Sequence, residues 1–469
     1  MWLTVDNLFT EVARSEVAEW SWLSRYLSFP DTRWRGGQPP EGKTPQSMFN
    51  ILTNTFPSGL LGLVRRQAPL EGHKIELADL RMEPCAPDSN ADLEWLRHHP
   101  AVDKPITHQI GAVEAVVKHG SGILWIPTGG GKTEVAIGLT RRLPCRWGFL
   151  VHRSGLLRQT AARYTKRTDL PATLAGDEVW TATGNDRFTV ATFQTLDAAL
   201  KAGGQKAARA IKLLASFQGI VVDEAHTLPA DSFWRVIMAT KNAYFRVGMS
   251  GTPLARGDRR SVLTIAALGP VIYRVRARTL IDLGILAEPK IRLVPLVQLS
   301  TKKTWPGVYR ELIVRSPARN KLIARIVKQA PKPCLVFVNH TQHGQLMEKM
   351  LLKSGVPAEF CWGADSTEER QAAVERLERG DIEATVCSVI FQEGVDIPSL
   401  RSIVIASGGE SVIAALQRVG RGTRAMRDKR TFEVYDVKDE GDKWLTKHAR
   451  ARFAAYASEG YPTSIEALP

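Results

Sequence analysis

The sequence predicts an α/β protein built from two tandem, doubly wound parallel sheets, with a small α+β domain ahead of them. Three observations lead there. Short apolar runs bounded by Gly, Ser or Thr recur along the chain: 123–127, 148–152, 219–224, 246–251, 334–338, 383–388 and 402–407. Such runs are what strands covered on both faces require. Between them lie segments with helical spacing, among them Glu134–Leu143 and Gln342–Leu352. The alternation continues for about 330 residues, which is more than one doubly wound sheet uses and suits two.

Turn-rich stretches divide the rest. Pro30–Pro45 interrupts the first hundred residues, and Pro84 to Pro105 has the composition of a linker. The expected division is a small N-terminal accessory domain (1–100), a first lobe (101–285), a second lobe (286–445) and a C-terminal helical tail (446–469).

Composition narrows the class of function. No apolar run reaches the 18 residues of a membrane span, and the N-terminus lacks a signal pattern, so no membrane association is expected and the compartment is expected to be cytoplasmic. The five cysteines are scattered, without CxxC pairs, which argues for free thiols rather than a zinc site. The net charge is +15, unevenly spread. Residues 1–100 carry 10 basic against 13 acidic side chains, whereas residues 251–330 carry 16 against 4 and include Arg274, Arg276 and Arg278. A polyanion such as a phosphate backbone is the natural partner for that second segment. Trp20, Trp22, Leu23, Tyr26, Leu27 and Phe29 sit at near-helical spacing; they suit core packing better than base stacking, while Lys43, Arg65 and Arg66 remain local DNA candidates.

Two motifs carry chemistry. The run ending at Pro127 continues as Thr128-Gly129-Gly130-Gly131-Lys132-Thr133 and opens a helix. Glycines let backbone N–H groups close around a polyphosphate, Lys132 can reach the β- and γ-phosphates, and the Thr133 hydroxyl can hold Mg²⁺. Ile126 stands where the usual phosphate-loop pattern has its first glycine. The second motif is Asp223-Glu224-Ala225-His226 at the end of an apolar strand. Paired carboxylates there are costly unless a cation or a reaction uses them. Asp223 suits Mg²⁺, and Glu224 suits polarising the water that attacks a phosphoryl group.

These motifs, with those that follow in order over residues 104–437, resemble superfamily 2 helicases. The resemblance implies two RecA-like lobes that hydrolyse ATP with Mg²⁺. It makes Gln109 the adenine reader, although Ile106 replaces the arginine that usually precedes it. Arg153 in LVHRSGLLRQ, and Thr192 and Gln194 in VATFQTL, fall in strand-contacting motifs of the first lobe. Ser250 and Thr252 of Ser-Gly-Thr-Pro fall in the motif that links hydrolysis to nucleic acid. Asn339 belongs to the opening motif of the second lobe, Gln392 and Gly394 to a nucleic-acid motif, and Asp396 to its ribose contact. In Gln417-Arg418-Val419-Gly420-Arg421-Gly422-Thr423-Arg424, the catalytic set is Gln417, Arg421 and Arg424; guanidinium groups there can neutralise charge spreading over the γ-phosphate.

The flanks Asn54–Leu61, Asp79–Pro84 and His448–Tyr461 resemble those of UvsW-like phage branch-migration helicases. That likeness implies a DNA helicase or translocase, in a bacterial or phage-infected cell, acting on forks, R-loops or Holliday junctions in replication, recombination or repair. DNA is the expected partner, with RNA admitted in hybrids, and the chain is expected to work as a monomer. The alternatives are an RNA helicase and a non-hydrolysing nucleic-acid scaffold. A nuclease fusion lacks a further carboxylate cluster.

Overall fold

In the computed structural model, the described residues are 1–29, 46–152, 154–227, 231–252, 261–362, 365–388, 397–409, 419–420, 422–423, 425–426 and 428–466. The chain forms two compact units. One holds residues 1–97, 106–126 and 131–274; the other holds 98–105, 127–130 and 275–469.

The first unit contains an eight-stranded sheet in the order Val179–Trp180, Thr173–Gly176, Phe188–Thr192, Trp147–Val151, Gly219–Asp223, Phe245–Ser250, Gly122–Trp125, Val271–Arg274. Every pairing is parallel except that of the short edge strand Val179–Trp180. Trp147–Val151, Phe188–Thr192 and Phe245–Ser250 are buried along their whole length, as strands covered on both faces are. Trp147 stacks on Phe245 at 5.7 Å, and its indole N–H donates to the Leu143 carbonyl.

A separate four-stranded sheet lies in residues 1–79. Trp2–Val5 pairs antiparallel with Phe9–Arg14 and parallel with Glu76–Asp79, and Thr55–Pro57 closes the far edge. The helix Val17–Tyr26, started by a Glu16/Glu19 capping box, covers it. Trp22, Leu23 and Leu27 are buried in the same core as Leu3, Val12 and Phe56, and Tyr26 stacks on Trp22. The aromatic stripe is therefore mostly core. Phe29's side chain and Lys43 fall outside the described residues, while Arg65 and Arg66 are exposed.

The segment with linker composition is not a loose tether. The Asp88 N–H donates to the Arg142 carbonyl, and Leu96 is fully buried against Gly138 of the helix Lys132–Arg142. Its prolines and polar residues suppress regular structure without preventing packing.

The second unit is a seven-stranded, all-parallel sheet: Ala358–Cys361, Ala384–Cys387, Cys334–Phe337, Ser402–Ile405, Thr431–Gly441, Glu288–Gln298, Thr463–Ile465. Alternate residues of Cys334–Phe337 enter different cores, Leu335 and Phe337 one and Cys334 and Val336 the other. Two expected boundaries move. Ala277 and Ile281 of the helix Ala277–Asp282 pack in this unit's core, although the first lobe was expected to run to 285. The helix Lys443–Ser458 buries Tyr456 there, and Thr463–Ile465 joins the sheet, so residues read as a helical tail are part of this fold. Among the described residues, no helix is long and apolar enough to cross a membrane.

Candidate functional site

The strands Gly219–Asp223, Phe245–Ser250 and Gly122–Trp125 are neighbours, with Asp223 opposite Met249 and Ser250 opposite Trp125. Parallel pairing therefore brings their C-terminal ends, and the loops that follow, to one edge of the sheet. Ligand sites in doubly wound folds form at that edge.

After Trp125, the Ile126 N–H donates to the Ser250 carbonyl, then the chain turns through Pro127–Gly131 into the helix Lys132–Arg142. Gly129 and Gly131 take φ of +82° and +85°, the left-handed region. Gly131 is needed twice over, because a Cβ there would stand 2.2 Å from Nε2 of buried Gln109. Thr128 and Gly130 complete the turn, the Gly130 N–H donating to the Pro127 carbonyl, and Thr133 is the half-buried second residue of the helix.

Lys132 Nζ donates to Glu224 Oε1 at 3.0 Å, so the two predicted motifs meet. Glu224 has φ of +50°, a strained position for a side chain of its size. The turn is pinned by Thr227, whose backbone N–H and hydroxyl both donate to the Glu224 carbonyl. Burial alone would raise the Glu224 carboxyl, but Lys132 and His226 outweigh it and hold it well below the usual carboxylate range. Asp223 responds the other way: burial and the neighbouring Glu224 charge push it up to about 6. A divalent cation would relieve this repulsion, so the donor chemistry of Asp223 fits Mg²⁺.

His226 was quoted in the sequence motif without a site role, yet it joins the pieces. Its Nδ1 lies 3.1 Å from Ser250 Oγ and 3.3 Å from Glu224 Oε2. The Thr252 N–H donates to Ser250 Oγ at 3.1 Å. Ser250 and Thr252 are thus both buried, Ser250 hydrogen-bonded to His226 of the acidic motif and Thr252 to Ser250. The Asp-Glu-Ala-His and Ser-Gly-Thr patterns were the available signal.

Other predicted contacts diverge. Thr192 is buried and caps the helix Phe193–Ala202, accepting from the Thr195 N–H, so its hydroxyl is committed to the fold. Gln194 is exposed and donates to the His152 carbonyl. Asn339 is exposed just past the strand Cys334–Phe337. Arg153, Gln392, Gly394, Asp396, Gln417, Arg421 and Arg424 lie outside the described residues. Of the basic run, Arg274 stands 4.0 Å above the Trp125 ring, whose indole N–H donates to the Gly251 carbonyl. Arg278 pairs with both Asp282 and Glu288, whereas Arg276 is exposed with no carboxylate within ion-pair distance among the described residues.

Two family models match in the order of the two sheets. The "Type III restriction enzyme, res subunit" model covers residues 103–255, and the "Helicase conserved C-terminal domain" model covers residues 318–426. The chain belongs to the superfamily 2 helicases. This superfamily 2 helicase is 25% identical over 356 residues to a protein named as a helicase in a Sulfolobus islandicus filamentous virus, spanning 70% of this chain and 63% of the viral protein. It is 25% identical over 388 residues to the "DNA 3'-5' translocase XPB2" of Sulfurisphaera tokodaii, spanning 73% of this chain and 84% of that one. It is 27% identical over 263 residues to the "ATP-dependent DNA helicase uvsW" of Enterobacteria phage T4, spanning 51% and 52%. The chain thus spans less than two thirds of the length of the viral and phage relatives. Among solved structures, a fragment assigned to an HsdR subunit of a type I restriction enzyme from Vibrio vulnificus YJ016 superposes with a TM-score of 0.60 at 19% identity, covering 94% of this chain and 92% of that one; the likeness is one of fold.

Proposed function

We propose that this helicase is an ATP-driven motor acting on DNA, with branched DNA as its substrate. The observation that carries the reading is the junction of Lys132, Asp223 and Glu224 at one sheet edge, with Glu224 ionised and held in a strained turn. An ionised carboxylate held beside a phosphate-directed lysine suits polarising water against a γ-phosphate. Thr133 and Asp223 would hold Mg²⁺, which supplies charge neutralisation on the phosphates. Gln109, packed on Gly131, would read the adenine, and Asp396 the ribose. Arg421 and Arg424, with Gln417, would complete the catalytic set. DNA as partner is supported by the basic segment 251–330 and by the names of the XPB2 and uvsW relatives.

The test is ATP turnover and strand products measured on single strand, duplex, fork, R-loop, Holliday junction and structured RNA. Stimulation greatest on fork or junction DNA, with strand displacement, is expected. Greater stimulation by RNA would replace DNA by RNA as the substrate, and no turnover on any of them would reduce the protein to a scaffold.

The basic run gives a sharper expectation. Arg276→Ala lowers DNA affinity evenly across sequences and reduces the salt slope by about one unit, the share of a single phosphate contact. Arg278→Ala leaves the slope unchanged, because two carboxylates already hold that guanidinium. Equal slopes for Arg276→Ala and the parent would return the whole run to solvated surface.

A further inference from the structure

Residues 299–316 join the strand Glu288–Gln298 to the helix Pro317–Gln329 and carry four basic side chains against one acidic, Glu311. Apolar residues decide how this segment lies. Val308, Tyr309, Leu312, Ile313 and Val314 are buried in one cluster with Leu445 of the helix Lys443–Ser458. The short helix Trp305–Val308 and the π-helical turn Tyr309–Val314 therefore form a fixed ledge.

The ledge crosses the C-terminal edge of the second sheet. Gln298, at the end of its strand, donates from Nε2 to the Leu312 carbonyl at 3.3 Å and accepts from the Ser316 hydroxyl at 2.5 Å. The Tyr309 hydroxyl donates at 2.8 Å to the Ser407 carbonyl, just past the strand Ser402–Ile405. The Tyr309 ring lies 5.1 Å from that of His340, just past the strand Cys334–Phe337. Three strand ends thus hold the ledge, at the edge where doubly wound sheets bind their ligands.

The π turn gathers the charge on one side. Residues five apart on an α-helix point roughly 140° apart around the axis. Here the Arg315 N–H donates to the Arg310 carbonyl at 3.0 Å, an i to i+5 bond that takes an extra residue into the turn and turns the two arginines toward each other. Lys302, Arg310 and Arg315 are exposed and line a single surface groove of about 690 Å³. The Glu311 carboxylate, also in the lining, accepts from the Ser300 hydroxyl. Among the described residues, no carboxylate lies within ion-pair distance of these three cations, whereas Arg278, Arg292 and Arg319 of the same basic segment each have one. The groove therefore holds positive charge that the fold itself leaves unneutralised.

We propose that this groove binds the phosphodiester backbone of a nucleic-acid strand. Two guanidinium forks on a fixed turn match phosphate oxygens, and an open groove lets the strand continue past them. That the strand is DNA rests on the function proposed above; that the ligand is a phosphodiester chain rests on the groove.

The experiment measures the salt dependence of binding to a short labelled single strand, as DNA and as RNA of the same sequence. The full-length parent is compared with Arg310→Ala, Arg315→Ala, Arg310→Lys and Lys353→Ala. Both arginines are exposed, so melting temperatures stay at the parental value. Each alanine at 310 or 315 lowers the slope of log affinity against log salt by about 0.7, and the affinity at about 0.1 M salt by about fivefold. Arg310→Lys keeps the charge and the parental slope. Lys353 ends the helix Thr341–Lys353, which starts at the C-terminal edge and so finishes at the opposite one; Lys353→Ala binds as the parent. Parental slopes in Arg310→Ala and Arg315→Ala overturn the inference, as does an equal loss in Lys353→Ala. The expected pattern on RNA alone upholds the groove and overturns the DNA reading. A parent that binds neither strand overturns both.

Discussion

Glu224→Gln is expected to lower ATP turnover about a thousandfold, the loss of a positioned base, while ATP still binds. The glutamine keeps the shape of the side chain and removes its charge. In the parent, Glu224 Oε1 accepts from Lys132 Nζ at 3.0 Å, and both side chains are largely shielded from water. A phosphate arriving at the loop must draw Lys132 away from that carboxylate. With glutamine in place, Lys132 is held less firmly, so ATP affinity is unchanged or tighter even as hydrolysis stops. Lys132→Ala separates the two roles, because it loses the phosphate contact and weakens ATP binding itself. The measurements are steady-state turnover on forked DNA and equilibrium binding of ATP. Turnover within a few-fold of the parent in Glu224→Gln would sink the assignment of Glu224 as base.

The strands most legible in the sequence are short ones buried on both faces and made mostly of apolar residues. Gly219–Asp223, Phe245–Ser250 and Cys334–Phe337 each lie within a residue or two of the expected run. The two longest strands, Glu288–Gln298 and Thr431–Gly441, were not anticipated. Their apolar pattern is interrupted by charge, and the structure pairs those charges across elements: Arg292 with Glu433 at 2.7 Å, and Asp436 with Arg452 at 2.8 Å. Periodicity scores a residue by its type, whereas burial depends on whether a partner distant in sequence satisfies it. The shift of the helix Ala277–Asp282 into the second unit has the same origin. The stretch Arg274–Arg278 that leads into it alternates Arg with Val or Ala and carries no mark of which sheet the helix will cover.

Site chemistry divides along similar lines. Lys132, Asp223 and Glu224 were legible because each sits where a strand ends and a helix or turn begins, a place that adjacent residues define. Thr192 was misleading for the opposite reason. A threonine at that same junction also satisfies a helix N-terminus, and the Thr195 N–H takes it. His226 gained its role only when the fold brought Ser250, 24 residues away, to 3.1 Å. The +12 charge of residues 251–330 likewise overstated the free positive charge, since Arg292 and Arg319 are paired with Glu433 and Asp439, which lie outside the segment.

Gly59→Ala should strongly destabilise the first unit. Gly59 lies in the 3-10 turn Ser58–Leu60, at the point where the N-terminal sheet's core meets the helix Ser261–Leu268. Ala266 of that helix is buried in the same cluster as Leu60 and Phe56, with Val262, Ile265 and Trp234 packed around it. A Cβ on Gly59 would stand 2.2 Å from the Ile265 carbonyl oxygen, 2.5 Å from that of Ala266 and 2.8 Å from the Gly269 nitrogen. All three are backbone atoms, so no rotamer change can relieve the overlap; either the turn or the helix must move. A loss of about 3 kcal/mol is expected, the upper end for overpacking, which corresponds to a fall in melting temperature on the order of 10 °C. Gly62, three residues on, provides the control. Its added Cβ would find nothing nearer than Pro270 Cγ at 4.0 Å, and it sits in the helix Leu61–Gln67, where alanine is favoured over glycine by about 1 kcal/mol. Gly62→Ala is therefore expected to melt at or above the parent. The pair discriminates between local and interface effects, since both substitutions add the same group to the same short stretch. If Gly59→Ala melted with the parent, the two cores would not be in the contact described, and the N-terminal sheet would be free to move independently of the helix that follows the Ser-Gly-Thr-Pro motif in the chain.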